Sequence, residues 1–201
     1  MSSRDPHPLL LASASPRRRH LLARAGLRFE VRPAEVDESV LPGEAPRDHA
    51  ARLAEAKARA VASTLGGSPP RIVLGADTIV VLGERIIGKP SDGAHAVAML
   101  EDLVGRTHRV ITAVAVLRSD SLELHRACVE SRVSMRSAQR EEIRRYVASG
   151  EPLDKAGAYA VQGEGRRFVT HIEGSESNVI GLPVDEALSL LRAAGLEAGR
   201  R

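Results

Sequence analysis

Aromatic residues are nearly missing from this 201-residue chain: Phe29, Tyr146, Tyr159 and Phe168 are all it has, and there is no tryptophan. Proteins that hold single-stranded nucleic acid stack the bases on exposed aromatic faces. This chain can hardly build such a platform, so no stable nucleic-acid partner is expected. Cysteine is rarer still. Cys128 stands alone, which excludes an intrachain disulfide framework and a cysteine-cluster metal site and suits a reducing compartment. No apolar run approaches the roughly 20 residues that cross a bilayer, and no N-terminal stretch has the apolar length of a secretion signal. A cytoplasmic protein with no membrane partner is the expectation. Charge of one sign is lacking as well. The net charge is only +3, and the charged residues are interspersed rather than blocked. Lysine is the last scarcity, since of 29 lysines and arginines only Lys57, Lys89 and Lys155 are lysines. In so arginine-rich a chain, a position that stays lysine suggests a need for a compact ammonium that a planar fork cannot supply.

What remains is an ordinary globular composition, 43% hydrophobic and 27% charged, long enough for one domain over 1–201 with a real core. The ends, 1–7 and from Glu197 on, read as frayed. A short apolar run from Leu9 stops at Ser13-Ala14-Ser15-Pro16, and a helical spacing of Leu21, Leu22 and Ala25 follows. Ser15 suits an N-cap and Pro16 the first helical position. Phe29–Val31 reads as a strand leading into the acidic loop Glu35–Glu38, punctuated by Pro42-Gly43. An alanine-rich helix is expected over Arg47–Leu65, with Lys57 on or beside its apolar stripe. After Gly66–Pro70, Ile72-Val73-Leu74 has the continuous apolar character of a strand covered on both faces. It is expected to break at Gly75-Ala76-Asp77-Thr78 and to resume at Ile79–Leu82. A turn at Gly83-Glu84 feeds the loop Gly88-Lys89-Pro90, and Ser91 is placed as the cap of a helix over Asp92–Leu103.

Two β-rich segments, His108–Leu117 and Leu122–Met135, read as an antiparallel pair. Helices are expected over Ala138–Ala148 and Val184–Ala194, with a strand at Phe168–Ile172 in the glycine-rich stretch between them. Strands alternating with helices around a central hairpin indicate α/β with a mixed, twisted sheet flanked by helices.

Chemistry gathers first at the start of the chain. A helix N-terminus, two serine hydroxyls and up to three guanidinium groups, from Arg17, Arg18 and Arg19, point into one small volume, which suits a phosphate chain. A capped helix with a solvated arginine cluster fits the same residues. Asp77 follows a buried type of strand, where it binds a metal, activates water or bonds local amides. Asp37-Glu38 is a weaker acidic pair. Lys89 and Lys155 sit in glycine turns that suit phosphate or serve as plain loops. His20, His108 and His171 lack metal-ligand spacing. No GxxxxGK[ST], GxGxxG or GxSxG motif is present, and Ser13 and Ser15 have no histidine partner for a triad.

Taken together, Leu11-Ala12-Ser13-Ala14-Ser15-Pro16-Arg17-Arg18, Gly75-Ala76-Asp77-Thr78, Gly88-Lys89-Pro90, Asp154-Lys155-Ala156-Gly157-Ala158-Tyr159, Gln162-Gly163 and Gly181-Leu182-Pro183 occur in this order. The series resembles the Maf family of nucleoside triphosphate pyrophosphatases over about Leu10 to Leu191. The resemblance implies an inosine-triphosphatase-like α/β fold with two lobes around a cleft. It implies hydrolysis between the α- and β-phosphates with a divalent metal cation, Mg²⁺ or Mn²⁺, and leaves room for a homodimer. By the same resemblance Ser13, Arg17, Arg18, Lys57 and Lys89 would hold the triphosphate. Glu38 and Asp77 would handle metal and water, with Asp77 as proton acceptor, and Arg17, Thr78 and Gln162 would choose the base. Ala-Asp-Thr and Ala-Gly-Ala-Tyr-Ala-Val-Gln-Gly look like the dTTP/UTP branch rather than the branch acting on methylated GTP. Departures from the family pattern fall at Gly83-Glu84, Met135, Ala160 and Glu176. The competing expectation is a nucleotide-sensing or nucleic-acid-binding septation regulator without turnover, since the family is linked with septum formation and cell-division arrest.

Overall fold

The protein is described from a computed structural model, which covers residues 8–66 and 69–196. The expected frayed ends and the Gly67-Ser68 pair of the first linker lie outside the described residues. In chain order the elements are β1 (Leu9–Leu11), α1 (Pro16–Arg24), β2 (Glu30–Val31), α2 (Pro46–Ser63), β3 (Ile72–Leu82), β4 (Arg85–Ile87) and α3 (Gly93–Leu103). Then follow β5 (Thr107–Arg118), β6 (Leu124–Met135), α4 (Arg140–Ala148), β7 (Val169–Glu173), α5 (Glu176–Ile180) and α6 (Val184–Ala193). The strands form one seven-stranded mixed sheet in the order β2-β1-β3-β5-β6-β7, with β4 paired to β3. Two compact units share the chain. The first holds the described residues up to Asp77, Ala113–Cys128 and those from Gly181 on; the second holds Thr78–Thr112 and Val129–Ile180. The division therefore passes through β3, β5 and β6.

In the first unit β1 runs parallel to both neighbours, with Leu10 opposite Glu30 and Val73. Leu9, Leu10 and Leu11 are wholly buried, as an unbroken apolar run in a parallel strand requires. Helix α2 buries Leu53, Ala54, Lys57, Ala58 and Val61, the stripe expected from helical spacing. It packs so closely on β3 that a Cβ at Gly75 would lie 2.2 Å from the Ala54 carbonyl oxygen and 2.8 Å from the Ala58 nitrogen. This corrects the expected break at Gly75–Thr78, because β3 is continuous from Ile72 to Leu82. Glycine stands there to let a helix backbone approach, with no turn to make.

The second unit has its own core. Val80, Leu100, Leu103, Val133, Ile143, Tyr146 and Phe168 meet in it. Tyr146 and Phe168 pack edge to face, 5.4 Å between ring centres, so scarce aromatics are spent on core packing. The cap of α3 is Asp92, whose carboxylate accepts from the His95 N–H at 2.8 Å, one residue beyond the expected Ser91. Ser91 instead donates its hydroxyl hydrogen to Asp92. Between α4 and β7 the chain makes three short 3₁₀ turns, 151–154, 156–158 and 164–168. Each is too short to carry a sequence period, and none was expected.

Candidate active site

Strand β1 delivers Ser13 to the start of α1. The Ser13 hydroxyl accepts from the Ser15 N–H at 3.2 Å and from Arg18 Nη1 at 3.1 Å. Ser15 caps α1 by accepting from the Arg18 N–H, with Pro16 in the first helical position as expected. Arg18 Nε donates to the Gly181 carbonyl at 2.8 Å. The Arg18 guanidinium thus turns inward, one of the up to three expected there. Arg17 is half-buried, whereas Arg19 and His20 are exposed, because consecutive residues of a helix cannot share one face. Burial pulls Arg18 below its ordinary basicity, the carboxylates of Asp77 and Glu38 oppose that pull, and Arg17 adds to it.

On α2, Lys57 extends inward and places its ammonium between two carboxylates, 2.7 Å from Asp77 Oδ1 and 2.5 Å from Glu38 Oε1. Lys57 and Asp77 are buried, while half of the Glu38 side chain meets solvent. A buried carboxylate this close to an ammonium is held by it, and each would be costly alone. The first unit thus joins Ser13, Arg18, Glu38, Lys57 and Asp77, residues from four separate stretches of sequence. Asp37 does not belong to this group. It accepts from the Ser39 N–H at 2.9 Å, and that bond together with the Ser39 hydroxyl holds its carboxyl below the usual range.

Can the group hold a divalent cation? Among the described residues no three His, Cys, Asp or Glu side chains come together as a metal cluster. Two carboxylates, however, are a normal protein share of a Mg²⁺ site, whose other positions are taken by water and phosphate oxygens. Glu38 and Asp77 fit that share.

A residue that sequence reasoning missed keeps Glu38 in place. Glu44 accepts from Arg52 Nε at 2.6 Å, Arg52 Nη2 at 2.8 Å and the Leu41 N–H at 3.1 Å, and pairs with His49 Nδ1 at 3.0 Å. Arg52 also donates to the Ser39 carbonyl at 2.9 Å. The loop carrying Glu38 is thereby tied to α2. Arg52 above all holds the Glu44 carboxyl far below the usual carboxylate range. The only signal in the sequence was the spacing of His49 and Arg52, one helical turn apart.

The remaining expected site residues lie in the second unit. Thr78 follows Asp77 on β3, and its hydroxyl shares a 2.9 Å hydrogen bond with Thr112, which donates to the Asn178 carbonyl at 3.0 Å. Lys89 is exposed on the loop after β4, at the rim of a cavity of about 390 Å³ that also touches Arg85, Ile87, His95, Met99 and Asp102. That loop is anchored by the Gly157 N–H, which donates to the Gly88 carbonyl at 3.0 Å. Gly157 has φ +70°, and a Cβ there would lie 3.0 Å from Val80. The Asp154–Tyr159 motif therefore supports Lys89 from behind. Lys155 itself donates to the Glu151 carbonyl and to Asp154, both at 2.5 Å, and so ties its own turn. Gln162 is exposed on the turn before the last 3₁₀ segment. Of the histidines, His20 and His171 are exposed. His108 is buried against the Tyr159 hydroxyl at 2.7 Å, and burial lowers it to about 4.

A family model described as Maf-like protein matches residues 8–194. The dTTP/UTP pyrophosphatase of Anaeromyxobacter dehalogenans is 53% identical over 190 residues, covering 93% of this chain and 94% of its own. That of Myxococcus xanthus is 50% identical over 192 residues, covering 96% and 95%. Among solved structures, a nucleoside-triphosphatase / dITP/XTP pyrophosphatase from Mycobacterium abscessus covers 94% of this chain and 99% of its own, at 16% identity and a TM-score of 0.40. That last likeness is too loose to place any residue.

Proposed function

This chain belongs to the Maf-like protein family, and from that premise we propose that it is a nucleoside triphosphate pyrophosphatase hydrolysing dTTP and UTP to the monophosphate and pyrophosphate. The observation that carries the reading is the buried Lys57 ammonium bridging Asp77 and Glu38, with Arg18 close enough to feel both carboxylates. Such a group is costly as mere scaffold, since apolar residues of similar volume are often as stable or more so. It makes sense where charge must be handled.

In this reading Ser13, Arg17, Arg18, Lys57 and Lys89 bind and neutralise the triphosphate. Without that neutralisation its anionic oxygens repel an approaching nucleophile. Asp77 accepts the proton of the attacking water as its oxygen bonds to phosphorus and the α–β anhydride bond breaks, with pyrophosphate leaving. Glu38 and Asp77 would hold a divalent cation, Mg²⁺ or Mn²⁺. When bound, the cation supplies charge stabilisation at the phosphate oxygens and lowers the pKa of water. Lys57 already lies between the two carboxylates and offsets their charge before substrate arrives. Thr78 and Gln162, with Arg17, read the base. The family's relatives named for dTTP and UTP support the pyrimidine assignment. A cytoplasmic setting accords with the single cysteine and with the absence, among the described residues, of a helix long and apolar enough to cross a membrane.

The test is pyrophosphate release from dTTP, UTP, CTP and a methylated GTP, each with Mg²⁺ or Mn²⁺. Release from dTTP and UTP ahead of the others is expected. Release from the methylated purine first would move the chain to the other branch. Nucleotide binding without release from any of the four would replace the enzyme with a sensor.

A further inference from the structure

Gln162 sits on an exposed turn, yet the backbone on both sides of it is fastened. Val161 is buried in the second unit's core with Tyr159 and Phe168. On the far side the Glu151 carboxylate accepts from the Glu164 N–H at 2.9 Å through Oε2 and from the Gly165 N–H at 3.2 Å through Oε1. The Tyr146 hydroxyl donates to the same Oε1 at 2.8 Å and accepts from the Ala160 N–H at 3.3 Å. One carboxylate and one phenol therefore take up backbone donors at 160, 164 and 165, bracketing the turn. The space is cut to fit them: a Cβ at Gly163 would lie 2.3 Å from Glu151 Oε2, and one at Gly165 would lie 2.7 Å from the Tyr146 oxygen. Tyr146 is wholly buried, and the Lys155 ammonium holds the Glu151 carbonyl.

We propose that Glu151, with Tyr146, is the positioning residue for Gln162 and through it sets the choice of pyrimidine base. The inference rests on the reading of Gln162 as a base-contacting residue. Hydrogen bonds weaken steeply as their angle bends, so an amide that must tell uracil from cytosine needs its direction held. Thymine and uracil present carbonyl, N–H and carbonyl, whereas cytosine replaces one carbonyl by an amine and the N–H by an acceptor. A turn free to rotate would let the Gln162 amide present donor or acceptor to either edge. Burial pushes the Glu151 carboxyl up, but the Glu164 N–H, the Tyr146 hydroxyl, the Gly165 N–H and Lys155 outweigh it and hold it below the usual range.

The experiment compares wild type with Glu151→Gln, Tyr146→Phe, Gln162→Ala and the double variant Glu151→Gln/Gln162→Ala. For each, kcat/KM is measured on UTP, dTTP and CTP, together with Tm. Glu151→Gln keeps one acceptor and turns an NH₂ against a backbone N–H. The UTP-over-CTP ratio is expected to fall about five- to tenfold, the worth of one neutral hydrogen bond. Tyr146→Phe should lower the ratio in the same direction while keeping the ring, and it decides the matter if Glu151→Gln does not fold. The double variant should lose no more selectivity than Gln162→Ala, since residues acting in series are not additive. An unchanged ratio in both staple variants, with only a lowered Tm or a uniform loss on all three nucleotides, would overturn the positioning role while leaving Gln162's own role standing. An unchanged ratio in Gln162→Ala would overturn both.

Discussion

The two units solve opposite problems. In the first, charge answers charge: Lys57 lies between Glu38 and Asp77, Arg18 beside them, and Arg52 locks Glu44. In the second, Lys89 apart, the residues assigned to the substrate are neutral. What surrounds them is a lattice of hydrogen bonds to hydroxyls and backbone: Thr78 to Thr112, Thr112 to the Asn178 carbonyl, and Glu151 to the Gln162 turn. A phosphate chain needs neutralisation more than direction, whereas a base edge needs direction above all. Both units still use one device, a glutamate collecting several donors to pin a loop, with Glu44 behind Glu38 and Glu151 behind Gln162.

The comparison breaks most sharply at Asp77. Asp77→Asn removes the proposed proton acceptor but leaves Lys57 paired with Glu38, so the fold should survive. Turnover is expected to drop roughly 10²–10⁴-fold, the usual worth of a general base, with Tm and triphosphate binding near wild type. A kcat close to wild type would take the chemistry away from the first unit. Lys89 tests whether the second unit also contributes charge. Lys89→Ala should cost about 1.5–3 kcal/mol in kcat/KM, the range for a hydrogen bond to a charged group. Lys89→Arg should recover only part, because the fork is wider and directional. Arg24→Ala, an exposed cation in the last turn of α1, should change little. Equal losses at Lys89 and Arg24 would reduce Lys89 to general surface charge.

How much of this could be read from the chain itself differs between the units in the same way. Leu9–Leu11, the Ser15 cap, Pro16 and the α2 stripe carry periods or local signatures, and all stand where expected. Lys57 was legible as an inward lysine, but its partners lie 19 and 20 residues away on another loop and a strand. Only the family resemblance joined them. The second unit's turns were opaque. Glu151 reaches Glu164 and Gly165 across a segment with no repeat, and an acid in a loop is solvated more often than not. Glycine misled twice. Gly75 read as a turn although it serves helix approach, and Gly163 read as a motif letter although it makes room for a carboxylate.

Acid should separate the units next. His108 is buried and lowered to about 4, with its Nε2 on the Tyr159 hydroxyl. Its unfolded value is near 6.5. Between those two values the unfolded chain binds the extra proton, so stability falls as pH drops through that window, by up to about 1.4 kcal/mol per pH unit. Glu44 loses its contribution in the same direction, but over a lower window. Its folded carboxyl lies far below the unfolded value, so its contribution is full above about 4.5 and fades only as pH falls toward the folded value. Urea unfolding at pH 7, 6, 5 and 4 should show the slope in wild type and lose most of it in His108→Asn. A slope unchanged by that substitution would move the acid sensitivity elsewhere.

The smallest expected effect is at Thr112, and it asks whether orientation in the second unit is separable from chemistry in the first. Thr112 is wholly buried, with its hydroxyl between Thr78 and the Asn178 carbonyl. Thr112→Val keeps the shape but takes the Thr112 hydrogen from the buried Asn178 carbonyl and one hydrogen bond from Thr78. A buried group left unpaired costs about 1–3 kcal/mol, and for a chain of this size each kcal/mol lowers Tm by roughly 2–4 °C. Because the Thr78 hydroxyl loses its bond to Thr112, discrimination between UTP and CTP should weaken. Asp77, one residue earlier on the same strand, keeps Lys57 and should keep its reactivity, so kcat on UTP is expected to stay of the same order. A Thr112→Val protein that lost kcat and kept its base preference would reverse the division of labour between the units. It would mean that β3 carries strain from Thr78 into Asp77, and that the polar lattice serves the chemical step directly.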